Sequence, residues 1–272
     1  MLRQETRRSA QGGRQGPRGR SYLFLLPFSF GPLLCGCATF WDDLTSRDFS
    51  VHSFFVKPNP LLVLRDSNDG DKRARALRAL HEPKQNGGTD QEQEMVVKVL
   101  TTAAASEKQP LCRLAAIQAL ARFKDPRAVD GLTTAFYNAS CFSPDTATVI
   151  RCQAVVALGE TGDPAAVELL ARVVREPPAE GTELEKQQAL DIRIAAARAL
   201  GHFSHYQATE ALVRVLQSEK DAALRDRAHE SLQAATGKNL PPDAKAWEEF
   251  LHQPHGSQVA NEPPRKKVLG WF

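Results

Sequence analysis

Five arginines recur through the middle of this chain, and each opens a similar eight-residue phrase: Arg73 in RARALRAL, Arg113 in RLAAIQAL, Arg151 in RCQAVVAL, Arg193 in RIAAARAL and Arg225 in RDRAHESL. Three residues after each arginine stands an alanine (Ala76, Ala116, Ala154, Ala196, Ala228), and seven after it a leucine (Leu80, Leu120, Leu158, Leu200, Leu232). The intervals of 40, 38, 42 and 32 residues are those of stacked helical units, none of which can bury its apolar face alone. Small residues keep one helix face narrow so that a neighbour can come close, while the leucine fills the seam. An aromatic content of 7% and an Ala/Leu-rich middle also favour helices over sheets.

Three copies carry the pattern into a second helix. Asp125-Pro126 and Asp163-Pro164 occupy the same place, and Ala128, Ala166 and Ala208 align, as do Leu132, Leu170 and Leu212. An Asp N-cap accepts an orphan amide and a Pro at the first helical position needs no donor, so the pair reads as a helix start. Gly159 and Gly201, directly after Leu158 and Leu200, read as the stop of the preceding helix. The expected fold is all-α, an α-α superhelix of about five helical hairpins over residues 66–252. Its first copy runs into the insert Glu82 to Asp90, and its last ends in a cap, Ala235 to Leu251, where Trp247 and Phe250 cover the open end of the core.

On these residues the chain resembles HEAT-like repeat proteins, in particular the short form first recognised in phycobilin lyases. Residues 150–170, IRCQAVVALGETGDPAAVELL, carry the resemblance most fully, and it extends over about 73–250. The resemblance implies a scaffold whose second helices line a binding surface. It is a likeness of scaffold, and fold does not bring an activity with it.

The first forty residues read as an address. Residues 1–36 hold six arginines against one acid, then the apolar run SYLFLLPFSFGPLL from Ser21 to Leu34, the order of a signal sequence. That run is too short and too proline-broken for a membrane span of roughly 20 residues. It leads into Leu34-Cys35-Gly36-Cys37, which resembles a bacterial lipoprotein signal, implying cleavage after Gly36 and acylation at Cys37. More than one acyl chain would give stable anchoring, and Ala38 after the cysteine implies an outer-membrane address facing the periplasm. The expected organisation is a signal sequence (1–36), a linker (37–65), the repeat domain (66–252) and a tail (253–272) that reads as disordered or as a docking motif ending in Trp271-Phe272. Without residues 1–36 the net charge falls from +3 to −2, which removes the compositional support for nucleic-acid binding.

Exposed positions supply the candidate partner groove. Asp130, Glu168 and Glu210 stand seventeen residues after their repeat arginines; Thr134, Arg172 and Arg214 follow four later, and Tyr137, Arg175 and Gln217 continue the surface. Glu168 with Arg172 and Glu210 with Arg214 are i,i+4 pairs of favourable polarity, so the stripe is either a solvated face or a charged groove for a protein. The repeat arginines Arg73, Arg113, Arg151, Arg193 and Arg225 are expected to form a structural ladder by reaching Asp125 and Asp163 in neighbouring turns. Cys112, Cys141 and Cys152 leave an odd count for a disulfide framework, with a Cys141 to Cys152 bridge open. His202 and His205 lie at one turn, where His205 replaces the capping Asp, and no carboxylate or cysteine ligand lies beside them. No metal, no cofactor motif and no catalytic signature is expected. The sequence points to an exported, lipid-anchored, non-enzymatic adaptor with an unknown protein partner; the alternatives are a small-ligand-binding or lyase-like HEAT protein and an intracellular HEAT scaffold.

Overall fold

The computed structural model describes residues 59–252, in which eleven α-helices and two short 3-10 turns follow one another and no strand occurs. They are α1 (Pro60–Asp66), α2 (Gly70–Ala79), α3 (Asp90–Ser106), α4 (Pro110–Leu120), α5 (Arg127–Tyr137), α6 (Pro144–Thr161), α7 (Ala166–Val174), α8 (Glu183–Leu200), α9 (Tyr206–Ser218), α10 (Ala222–Thr236) and α11 (Ala244–His252). The even-numbered helices α2 to α10 are the arginine-led first helices, and α3 to α11 are the second helices. The described residues form an α-α superhelix.

Local chemistry sets the helix starts. Thr89 and Thr182 open α3 and α8 with reciprocal capping boxes to Glu92 and Glu185. Asn59, Asp69 and Asp221 cap α1, α2 and α10, and Pro60, Pro110 and Pro144 occupy first helical positions. At the second helices Asp125 Oδ1 accepts the Arg127 amide at 3.0 Å and Asp163 Oδ1 accepts that of Ala165 at 2.9 Å. His205 substitutes for the missing aspartate, its Nδ1 accepting the Gln207 amide at 3.4 Å.

The five register alanines and five register leucines are all buried. First helices stack on first helices, α2 on α4, α4 on α6, α6 on α8 and α8 on α10. Each second helix also packs on the first helix of the following copy, so α3–α4, α5–α6, α7–α8 and α9–α10 are tight pairs, and α5 lies as closely on α3 as on α6. The helices within one copy meet less closely than the hairpin reading of the sequence anticipates. At the carboxy-terminal end α11 packs on α9. There Trp247 is fully buried, donates from its ring nitrogen to the Pro241 carbonyl at 3.0 Å and meets Phe250 edge to face.

Two expectations need correction. Packing starts at Pro60 and not at residue 66, because α1 lies against α2 with Leu61 and Leu64 half-buried on the core. Gly159 is not a helix stop, whereas Gly201, directly after Leu200, is one. Gly159 lies inside α6, and it is Gly162, in the left-handed conformation at φ 68°, that ends this helix; Gly201 caps α8 with right-handed φ −63°. Both are contact points: a Cβ on Gly159 would stand 2.9 Å from Ala199 Cβ and 3.0 Å from its Cα, and one on Gly201 would stand 3.1 Å from Ser231 Cβ. Glycine is required because neighbouring first helices touch there.

A series of bonds also joins the turns between first and second helices. Lys124 Nζ donates to the Thr161 carbonyl at 2.8 Å, and Ser204 Oγ donates to the Ala235 carbonyl at 2.9 Å. In each case the donor stands eleven residues after its repeat arginine and the acceptor ten after the next one. The first copy uses its insert instead: buried Glu82 accepts the Lys124 amide at 2.8 Å and the Gln93 side-chain amide at 3.0 Å.

These contacts generate a prediction about glycine. Gly159→Ala has to push apart two helix backbones and is expected to lower unfolding free energy by about 1–3 kcal/mol. Gly162→Ala meets open space and pays only for its left-handed backbone, about 1 kcal/mol. Urea denaturation of the full chain measures both; a Gly159→Ala midpoint at or above wild type contradicts the contact.

Candidate functional site

The sequence-derived groove residues lie on the second helices. Asp130, Thr134 and Tyr137 are on α5; Glu168 and Arg172 are on α7, with Arg175 at its end; Glu210, Arg214 and Gln217 are on α9. All are exposed except Glu210, which is half-buried. Their exposure follows from the period of the buried positions: Ala128, Val129, Leu132, Ala135 and Phe136 turn one face of α5 inward, and the corresponding residues do so in α7 and α9.

Both expected ion pairs are present, Arg172 to Glu168 at 2.9 Å and Arg214 to Glu210 at 2.7 Å. Arg172 also reaches across to α5, donating to the Tyr137 hydroxyl at 3.0 Å, while Tyr137 stacks edge to face on Phe136. Thr134 Oγ1 turns back to the Asp130 carbonyl at 2.8 Å, and Arg175 Nε to that of Ala171 at 2.7 Å. The structure thus brings Tyr137, Glu168 and Arg172 into one chain of contacts and Glu210 with Arg214 into another. Such solvated pairs add little stability, about 0.2–0.5 kcal/mol each. They hold charge in fixed places, an acidic row across the stack with an arginine row one helical turn away.

The first copy contributes to this face, which counting from the arginine misses. A depression of about 510 Å³ opens to solvent between α3 and α5, lined by Glu94, Lys98, Thr101 and Thr102 on one side and Arg127, Asp130, Gly131 and Thr134 on the other. The helices approach closely because Gly131 faces Thr101, whose Cγ2 would stand 2.6 Å from an added Cβ. Seventeen residues after Arg73 is Asp90, since the insert delays the second helix. Aligning the buried residues Val96, Val97, Leu100, Ala103 and Ala104 of α3 with those of α5 would have placed Lys98 level with Asp130 and Thr102 level with Thr134.

The arginine ladder exists in part, and with different partners. Arg73 donates to the Leu64 carbonyl at 2.7 Å and pairs with Glu107 at 2.8 Å. Arg113 donates to the carbonyls of Glu107 at 3.1 Å and Asn138 at 3.0 Å, with its guanidinium 4.7 Å from the Phe142 ring. Arg193 donates to the Val174 carbonyl at 3.4 Å and forms a buried ion pair with Glu219. Arg113 and Arg193 therefore each join the carboxy-terminal ends of two successive second helices, and Arg73 joins those of α1 and α3, where free carbonyls and the helix dipole favour a cation. Arg151 lies 5.9 Å from the Phe136 ring, the Asn138 carbonyl being already taken by Arg113. Arg225 is exposed at the end of the stack.

Asp125 and Asp163 lie beyond the opposite ends of the first helices. At roughly 1.5 Å per residue a repeat arginine cannot reach them. Asp125 instead binds Arg127 at 2.7 Å and the Gln93 side chain at 3.0 Å, and the Arg127 hydrogen bonds foremost hold its carboxyl well below the ordinary range. Burial opposes ionisation of Glu219, yet the amides of Asp221 and Lys220 and the Arg193 guanidinium outweigh it and lower its pKa. Cys112, Cys141 and Cys152 are free thiols. Burial first, and then the Asp191 charge, push Cys152 up to about 11. Among the described residues no group of three or more His, Cys, Asp or Glu side chains is placed to hold a metal ion, and no helix is long and apolar enough to cross a membrane. Cys37, the signal sequence and most of the linker lie outside the described residues, as does the tail.

Arg193→Met strands the buried Glu219 carboxylate and is expected to cost about 3–5 kcal/mol, whereas Arg225→Met changes stability by less than about 0.5 kcal/mol. Because Glu219's folded pKa is depressed, its contribution is complete above its ordinary value of 4.5 and is lost as pH falls through that value and below it. Arg193→Met therefore flattens the acid limb of stability; denaturation at several pH values checks this, and equal losses in the two variants contradict the ladder. Thiol labelling at pH 8, followed by mass spectrometry, is expected to modify exposed Cys141 first. At a pKa of about 11 only about a thousandth of Cys152 is thiolate there, so labelling of Cys152 as fast as Cys141 contradicts its half-buried placement.

Comparison with known families agrees with this architecture. The family described as HEAT repeats matches residues 58–141, and the PBS lyase HEAT-like repeat matches residues 150–176 and 192–218. No curated protein matches the chain. The buried Ala/Leu register, the stacked first and second helices and the two matches have one explanation: the chain belongs to the HEAT-repeat proteins, a helical scaffold of the kind that serves protein interaction.

Proposed function

We propose that this HEAT-repeat protein is a non-enzymatic scaffold that holds a protein partner on the face of its second helices, exported and anchored in the bacterial cell envelope through lipid on Cys37. One observation carries the interaction reading: an acid recurs at equal register on α5, α7 and α9, and an arginine one turn later on α7 and α9, on the side that no other described helix covers. Arginine and tyrosine on such a face are the residue types that anchor partners, and fixed rows of opposite charge select a partner's orientation more than they add affinity. The depression between α3 and α5 is open and edged by charge, which favours a macromolecule over an enclosed small ligand.

The envelope reading is supported by the arginine-rich start, the short apolar run and the Leu34-Cys35-Gly36-Cys37 sequence. An anchored scaffold would present its second helices to envelope proteins. The address and the groove are separable. Metabolic palmitate labelling that is present in wild type and abolished in Cys37→Ala is the expected result; labelling retained by Cys37→Ala removes the anchor. Affinity capture from membranes by the intact protein is expected to lose at least tenfold of its partner in the Arg172→Glu, Arg214→Glu double variant. These side chains are exposed, so the variant keeps its fold, and unchanged capture removes the groove.

A further inference from the structure

The arginine ladder is closed at three steps and open at one. Arg73 joins the ends of α1 and α3, Arg113 those of α3 and α5, and Arg193 those of α7 and α9. The step from α5 to α7 falls to Arg151. Here α5 and α7 do not pack closely on each other, whereas α3 lies on α5 and α7 on α9. The Asn138 and Val174 carbonyls at the two ends already accept from Arg113 and Arg193. Among the described residues half-buried Arg151 donates to no acceptor, and its guanidinium lies 5.9 Å from the Phe136 ring centroid. The residue that follows each second helix shows what is missing. It is Glu107 after α3, Asn138 after α5 and Glu219 after α9, and each accepts from a ladder arginine, the two glutamates through their carboxylates. After α7 it is exposed Arg175. A cation thus stands where the other steps have their acceptor. No acid lies three or four residues from Arg151 along α6, where Ala147, Thr148, Ala154 and Val155 stand.

We propose that this open step takes an acidic side chain of the protein partner, its carboxylate bound by Arg151 and Arg175 as those of Glu107 and Glu219 are bound from within the chain at the closed steps, an inference that rests on the interaction reading above. A guanidinium set against an aromatic ring keeps its N–H fork free, and the fork takes a carboxylate through two parallel hydrogen bonds. Partial burial makes such a bond stronger than it is in open water. One carboxylate at a solvent-open site still binds weakly, so the acid belongs to a peptide segment with further contacts. Tyr137 supplies one: it is exposed, it meets Phe136 edge to face, and its hydroxyl is fixed by Arg172. The arginine that the fold leaves without an acceptor therefore gives the partner's acid a defined place in the ladder.

The test reads fluorescence anisotropy on the full-length chain with three peptides of equal length: one rich in glutamate, the same peptide with every glutamate replaced by glutamine, and a phosphoserine peptide with the net charge of the first. The glutamate peptide is expected to bind about tenfold or more tightly than the glutamine peptide. Arg151→Met and Arg175→Glu should each weaken it about tenfold or more, while Arg225→Met, which removes a charge at the exposed end of the stack, leaves it unchanged. In urea Arg151→Met keeps the wild-type midpoint, unlike Arg193→Met, and Arg175→Glu keeps or raises it because the new carboxylate closes the step from within. No preference for glutamate over glutamine, undiminished binding by Arg151→Met, an equal loss in Arg225→Met, tighter binding of the phosphoserine peptide, a lowered midpoint in Arg175→Glu, or one in Arg151→Met as low as that of Arg193→Met overturns the proposal. If partner capture from membranes still depends on Arg172 and Arg214 in that event, the interaction reading stands and the acidic-segment inference alone falls; if capture is independent of them, both fall.

Discussion

The whole structure depends on how near two helix backbones can come. Where first helices cross, the residues at the contact are Gly159 against Ala199 and Gly201 against Ser231, and the register alanines beside them are buried in every copy. Small side chains there let the leucine of each copy enter the seam, and the apolar surface so removed from water is the dominant favourable term in folding. A single copy has no second surface on which to bury these residues. Stability must therefore come from neighbours, which is why the phrase repeats and why its ends depart from it.

Close packing leaves polar groups at both ends of the helices, and the two ends are closed by different means. At one end Arg73, Arg113 and Arg193 collect carbonyls at the ends of α1 and of the second helices, and Glu107 and Glu219 supply countercharge for two of them. At the other, Glu82, Lys124 and Ser204 tie turn to turn. The exposed side of the second helices is used by neither system. Its ion pairs run along single helices, with Arg172 reaching the Tyr137 hydroxyl of the neighbouring helix. A surface that the fold does not need is one on which charge can be arranged for a partner.

Much of the architecture was legible because burial and register are one-dimensional properties: Ala116, Leu120 and their counterparts could be read as core from spacing alone. The burial of Trp247 against Phe250 was legible too, since both aromatics come after the last arginine-led phrase. Pairing of polar groups was not legible. The arginines were expected to meet Asp125 and Asp163, which lie at the far ends of the helices, because sequence proximity of charge does not say which end of a helix faces it. Gly159 was misread for a related reason: a stop and a contact point both call for a missing side chain, and only the position of Ala199 distinguishes them. Lys98 was passed over because an insert displaced it, although the buried pattern of α3 places it level with Asp130.

If neighbours supply the stability, protection against local opening has to follow position in the stack. Native-state amide hydrogen exchange on the full-length chain is the direct measurement. The central helices α4 to α8, with copies on both sides, should exchange most slowly, with protection declining towards α1 at one end and α11 at the other. Equal protection throughout, or a minimum in α6, would contradict a stack held together by contacts between adjacent copies.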